Sequence, residues 1–135
     1  MIVPRFKKIL LVAPDGFPKE LTADFKGVKH ISKLTSVFPS IFDFNPDLIL
    51  FDFEFAGEDL EKILRRIKFN KFYQNIKICC YKKNPNEKAD SFLKILGVDH
   101  IIYLNDLAKP PKNKSVFNYL GTILDASILK WGNVS

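Results

Sequence analysis

Short apolar runs alternate with helix-like segments along almost the whole chain, and this alternation is the feature that most restricts the fold. Five runs read as strands, because apolar, aromatic or β-branched residues are bounded by turn residues. These predicted strands are Lys7–Val12, Val28–Ile31, Leu48–Asp52, Ile76–Tyr81 and His100–Leu104. A run as apolar as Leu48–Phe51 is typical of a strand buried on both faces of a parallel sheet.

The segments between the strands carry apolar residues at helical spacing. The predicted helices are Pro18–Phe25, Ser36–Phe44, Glu58–Phe69, a segment that Asn84 caps and Pro85 opens and that ends at Gly97, and Ser115–Leu129. The apolar residues expected on their buried faces include Phe38, Ile41, Phe42, Leu60, Ile63, Leu64, Ile67, Phe92, Leu93 and Leu96. Five strands alternating with five helices predict a flavodoxin-like doubly wound α/β fold. We expect a parallel sheet of order 2-1-3-4-5, with helices one and five on one face and the other three opposite.

The length and composition predict one domain. The 135 residues suit a single core, which we place at about residues 7–129, with a linker or tail after residue 130. No apolar stretch reaches the roughly 20 residues needed to span a bilayer, so we expect a cytoplasmic protein without a membrane segment. The adjacent Cys79 and Cys80 lack the C-x-x-C spacing of a metal or redox site and are expected to be buried, reduced thiols.

The net charge of +6 raises nucleic acid as a partner. Lys62, Arg65 and Arg66 would share one face of a helix and could contact phosphate groups. The charges are otherwise scattered, and no nucleic-acid motif accompanies them, so a solvated helix face is the simpler interpretation. Nucleic acid therefore stays a weak alternative.

Three stretches of the sequence resemble a response-regulator receiver domain of the CheY-like type. They are KKILLV as the first strand, PDLILFD with Gly57 five residues after its aspartate, and LGVDHII leading into the fifth strand. The resemblance covers nearly the whole chain, from about Lys7 to Leu129. It implies that Asp52, at the carboxyl end of the third strand, occupies the position of the phosphoacceptor.

The residues that would support phosphotransfer are changed. The resemblance implies two acidic magnesium ligands after the first strand, but Ala13 and Pro14 stand there, and Asp15 comes one residue late. The family's hydroxyl residue at the end of strand four falls on Lys82, or on Tyr81 if the loop differs by one residue.

The end of the fifth strand departs from the family as well. Leu104 and Asn105 stand where the family has a lysine and a proline, and Ile101 stands at the aromatic switch position. Only Asp52 remains of the phosphotransfer set. The resemblance therefore predicts a degenerate receiver, or pseudo-receiver, that is not phosphorylated, binds no metal or cofactor and is not an enzyme.

The expected function is that of a phosphorylation-independent protein-interaction or dimerisation module in bacterial signalling or transcriptional regulation. The resemblance implies an interaction surface made by the fourth helix, the fifth strand and the fifth helix. Tyr103 and Tyr119 are candidate contact residues on it, since aromatic residues are enriched at interfaces. Both rings could equally cover the edge of the core.

Two other functions remain open. One is an atypical receiver that is still phosphorylated on Asp52. The other is a sensor of a charged small ligand, in a pocket at the strand ends lined by Asp15, Asp52, Tyr81, Lys82 and Lys83.

A carboxylate at the strand ends without its magnesium ion needs another compensating charge. Lys82 is a candidate, and an internal ion pair between Asp52 and Lys82 would hold the domain in one state. The alternative is that Lys82 and Lys83 both point into solvent from a loop.

Overall fold

The computed structural model describes residues 7–18, 22 and 25–104. Its five strands are β1 Ile9–Val12, β2 Val28–Ile31, β3 Leu48–Asp52, β4 Lys77–Lys82 and β5 His100–Tyr103. They form one sheet of order β2-β1-β3-β4-β5, and every neighbouring pair is parallel. This architecture confirms the predicted doubly wound fold. β2 and β3 have the predicted bounds, and the other strands differ from prediction by one or two residues at an end.

The helices of the described residues are α1 Val37–Phe44, α2 Phe53–Ala56, α3 Asp59–Phe69 and α4 Glu87–Ile95, with a 3₁₀ helix at Leu34–Ser36 before α1. The predicted helix Ser115–Leu129 lies outside the described residues, as does most of Pro18–Phe25. The predicted start of α4 is wrong by two residues. Asn86, not Asn84, caps α4: its backbone is extended, and its side chain accepts a hydrogen bond of 3.0 Å from the Ala89 amide.

The sheet buries side chains on both of its faces. Leu10 and Phe51 belong to the first core, whose face α1, α3 and α4 cover. Ile9 and Leu50 belong to the second core, on the opposite face. Successive residues of a strand point to opposite faces, so these strands need apolar residues at every position. The predicted placement of three helices on one face is thereby confirmed; the segments expected to cover the second core lie mostly outside the described residues.

The predicted apolar stripe of α3 is buried throughout, at Leu60, Ile63, Leu64 and Ile67. Two other predicted core residues are not. Phe42 in α1 is 78% exposed and Phe92 in α4 is 43% exposed. In each helix the neighbouring residue, Ile41 or Leu93, takes the inward position, and one step along a helix turns the side chain by about 100°.

The two cysteines are buried, as predicted, and lie on opposite faces of the sheet. Burial raises the pKa of Cys79 well above its usual value and that of Cys80 to about 12. Both thiols therefore stay protonated and unreactive at neutral pH. Within the described ranges, no helix is both long enough and apolar enough to span a lipid bilayer.

Candidate functional site at the carboxyl ends of the strands

Asp52 ends β3 and opens α2, so the phosphoacceptor position also has a structural task. Its carboxylate accepts a hydrogen bond of 3.2 Å from the amide of Phe55, which caps the four-residue helix. The chain then turns at Gly57, whose φ of +54° lies in a region that side chains rarely adopt. Asp52 is thus held by the turn that follows it.

The residues after β1 do not fit a magnesium ion. The Ala13 side chain is fully buried and has no oxygen, and its carbonyl oxygen lies 2.9 Å from Nε2 of His30 in a hydrogen bond. Asp15 is exposed in the turn that follows Pro14. Magnesium prefers carboxylate and water oxygens in octahedral geometry, and this edge offers Asp52 without the neighbouring acidic pair. Among the described residues, no group of three or more potential metal-ligating side chains comes together.

An aromatic pair lies on the second-core side of this edge. Tyr81 is the register partner of Asp52 across β3 and β4, and its ring meets that of Phe17 edge-on, with centroids 5.2 Å apart. Both residues are buried. Burial, followed by the negative charges of Asp52 and Glu54, raises the pKa of the Tyr81 phenol. Tyr81, one of the two residues suggested for the family's hydroxyl position at the end of strand four, is therefore a packing residue.

The end of β4 carries a buried cation on the other side of the sheet. Lys82 is only 4% exposed, and its ammonium group makes an ion pair with the carboxylate of Asp90 in the first turn of α4. The same ammonium lies 4.5 Å from the centroid of the Phe53 ring. A buried ammonium requires such partners, because removing it from water is costly.

Asp90 receives three hydrogen bonds. Oδ1 accepts from Lys82, and Oδ2 accepts from the Tyr103 hydroxyl and, at 3.1 Å, from the Asn86 amide. Burial alone would raise the pKa of Asp90. The hydrogen bonds from Lys82, Tyr103 and Asn86, together with the charge of Lys82, outweigh this effect, so the pKa is lowered. We call these four residues the Asp90 cluster. It ties β4, β5 and the start of α4 together.

The suggested ion pair between Lys82 and Asp52 is therefore wrong, and so is the alternative of Lys82 in solvent. The reason is the register of the sheet. Asp52 is paired with Tyr81, whereas Lys82 is paired with Tyr103, and residues paired across a parallel sheet share a face. Lys82 and Tyr103 consequently point towards α4, where Asp90 lies. Lys83 is exposed and forms a 3.4 Å ion pair with Glu54.

Asp90 is the residue of the cluster that the sequence interpretation missed. It lies three residues before Leu93, so helical spacing places it on the buried stripe of α4. An acidic residue on a buried stripe needs a cation nearby, and that requirement could have identified Lys82 as its partner.

The other predicted site residues are more scattered. Tyr103 is half-buried and belongs to the Asp90 cluster, and Ile101 is a buried residue of the first core. Leu104 is 40% exposed at the end of β5. Asn105 and Tyr119 lie outside the described residues.

A double-mutant cycle tests the Asp90 cluster. We expect Lys82→Met to lower the free energy of unfolding by about 3–5 kcal/mol, because it leaves a buried carboxylate without its cation. In an Asp90→Asn background the same change should cost less, with a coupling energy of up to about 3 kcal/mol, measured by urea unfolding. The matched control is Asp52→Asn, whose effect should add to that of Lys82→Met within about 0.5 kcal/mol. Additivity in the first cycle, or coupling in the second, would contradict the assignment.

The lowered pKa of Asp90 predicts a pH dependence with a defined sign. A carboxyl group whose pKa is lower in the folded state stabilises the fold above its unfolded pKa, and this contribution is lost as the pH falls through the folded value. The usual value is 3.8, so the loss should begin near pH 4 and continue below it. We expect the difference in unfolding free energy between the wild type and Asp90→Asn to be constant from neutral pH to about 4 and to shrink below that. A difference that does not change in acid would show that Asp90 is not paired.

No protein-family model matches this sequence, and no curated protein matches it. Solved structures do. The receiver domain of a DNA-binding response regulator from Colwellia psychrerythraea is 18% identical, with a TM-score of 0.67, over 93% of this chain and 98% of that chain. The phosphorylated cyanobacterial phytochrome response regulator RcpA is 19% identical, with a TM-score of 0.65, over 96% of each chain.

An orphan response regulator of H. pylori is 16% identical, with a TM-score of 0.63, over 92% of this chain and 98% of that chain. Identities this low carry information about the fold alone. Together with the parallel sheet of order 2-1-3-4-5 and the aspartate at the end of β3, they lead to one conclusion. This chain has the fold of the response-regulator receiver domains.

Proposed function

We propose that this chain is a pseudo-receiver, a protein-interaction module that works without phosphorylation. The observation that carries the proposal is the Asp90 cluster. It supplies, from within the protein, an anion that holds the ends of β4 and β5 against α4. A phosphoryl group on Asp52 would meet neither a magnesium site nor the ammonium of Lys82, which Asp90 already binds.

The hydrogen bonding of the Asp90 cluster supports a fixed arrangement. In the part of the chain that the structure describes, no buried side-chain nitrogen or oxygen lacks a hydrogen-bond partner. A fully bonded buried network strongly restricts the positions of its members. The surface of α4 would thus be presented in one form rather than switched between two.

The interaction surface that we propose lies on α4 and the end of β5. Three apolar side chains are exposed there: Ile95 by 80%, Phe92 by 43% and Leu104 by 40%. Phe92 and Ile95 are three residues apart and share one side of the helix. We call these three residues the α4 face. Apolar and aromatic side chains form the centre of most protein interfaces, and a second copy of the chain or another protein would bury them. Tyr103 supports this face from beneath through its bond to Asp90.

A second candidate function, sensing of a small ligand, rests on a cavity of about 410 Å³ beside the strand ends. Its lining residues include Phe53, Glu54, Lys82, Lys83 and Asn86. The volume suits a small metabolite. The exposed Lys83 and Glu54 already pair with each other, and Lys82 pairs with Asp90. Because these charges are already paired, the cavity is a weaker basis for ligand sensing.

The proposal predicts that Asp52 does not become phosphorylated. On incubation with magnesium and a small-molecule phosphodonor, intact mass spectrometry should show no stable acyl phosphate, because Ala13 and Pro14 offer the metal no side-chain oxygen. A receiver domain with an intact acidic pair serves as the positive control. A gain of one phosphoryl group that disappears in Asp52→Asn would refute the proposal and favour the atypical receiver.

The α4 face predicts self-association. We expect light scattering after size exclusion to give a mass above that of the monomer at high protein concentration, and Ile95→Glu to restore the monomer by placing a charge in the apolar centre. Phe72→Glu is the matched control, since Phe72 is 89% exposed outside this face, and it should leave the mass unchanged. A wild type that stays monomeric would exclude the homodimer.

A further inference from the structure

A groove of about 550 Å³ separates α1 from α3, on the sheet face away from the second core. Its apolar part is made by Leu34, Phe38 and Ile63, and Pro39 completes the wall on the α1 side. Buried residues of both helices already close the first core on this face of the sheet. The groove is therefore an outer surface between two packed helices and not a defect of the core.

One wall of this groove is basic. Lys62 and Arg66 stand one helical turn apart on α3, and both line it. The guanidinium carbon of Arg66 lies 3.9 Å from the centroid of the Phe38 ring on α1, so the cation is stacked across the groove. Stacking fixes the position of the guanidinium while its edge remains able to bind a carboxylate. We call this surface the basic groove.

Two exposed phenylalanines extend the same line of side chains. Phe42 follows Phe38 by four residues on α1, and Phe69 follows Arg66 by three residues on α3. They are 78% and 83% exposed. Both helices run from the carboxyl edge of the sheet towards its amino edge, so Phe42 and Phe69, in the last turns of α1 and α3, both lie towards the amino edge. Large exposed aromatic residues beside a groove mark a binding surface.

We propose that the basic groove binds an acidic amphipathic helix of another protein. The apolar floor would receive the apolar side of such a helix, as in other helix-in-groove interfaces, and Lys62 and Arg66 would bind its acidic residues. Charge complementarity selects this occupant. With a net charge of +6, a second copy of the chain has no excess of acidic residues to place against Lys62 and Arg66. Residues 105–135, with four lysines against two aspartates, have none either.

Nucleic acid fits the groove less well. The carboxylate of Asp59 also lines it and would repel an evenly charged phosphate backbone, whereas a helix can carry its acidic residues beside Lys62 and Arg66 alone. Phe38, the aromatic ring among the described lining residues, is already stacked on Arg66. The floor is otherwise aliphatic, which suits leucine or phenylalanine side chains of a peptide.

The test uses the full chain and a displayed library of random peptides of about 14 residues, which span about 21 Å as helices. Selection on the wild type is paired with counter-selection on the Lys62→Glu/Arg66→Glu variant. We expect the enriched peptides to carry Asp or Glu beside apolar residues at i, i+3 and i+4. A synthetic copy should bind the wild type with an affinity at least about tenfold higher than the charge-reversed variant, and binding should weaken with salt.

The matched control is Lys88→Glu/Lys94→Glu, which makes the same change in net charge on exposed positions of α4. It should bind the peptide nearly as well as the wild type. Urea unfolding checks that each variant is folded. The proposal is overturned if no acidic peptide is enriched or if both double variants bind equally. It is also overturned if single-stranded DNA, but not the peptide, binds the wild type and loses affinity in Lys62→Glu/Arg66→Glu.

Discussion

A carboxylate that is removed from water must be bonded on both of its oxygens, and Asp90 meets this requirement with three donors. The donors come from β4, from β5 and from the residue that caps α4. None of these elements can shift by much without leaving a charge unbonded in a buried place. The orientation of α4, and with it the α4 face, depends on this cluster.

The two sides of the strand ends differ in chemistry. The side of Asp52 and Tyr81 is lined by hydrocarbon and aromatic surface, from the buried methyl group of Ala13 to the ring of Phe17. The side of Lys82 holds the concentrated charge. The buried ion pair at this edge therefore lies on the face of the sheet opposite to Asp52.

β1 and β3 could be predicted because each contains four consecutive apolar residues, which few other structures accommodate. β2 is not such a run, since Lys29 and His30 lie between Val28 and Ile31. The stripe of α3 was equally clear, because its four buried residues follow helical spacing without exception. α2 could not be found from periodicity, since four residues make barely one turn. The partner of Lys82 was missed for a different reason. Nearness to the sheet edge suggests a pair between Asp52 and Lys82, whereas the alternation of side chains along β4 decides which face Lys82 reaches.

The adjacent cysteines offer a way to follow local opening of this fold. Cys79 packs in the second core and Cys80 in the first, although one peptide bond separates them. Each thiol is buried on a different face of the sheet, so alkylation of one or the other requires a different face to become exposed. The two native thiols can therefore report local opening without an introduced label. The ratio of the alkylation rates of Cys79 and Cys80 compares how often the two faces of the sheet become exposed.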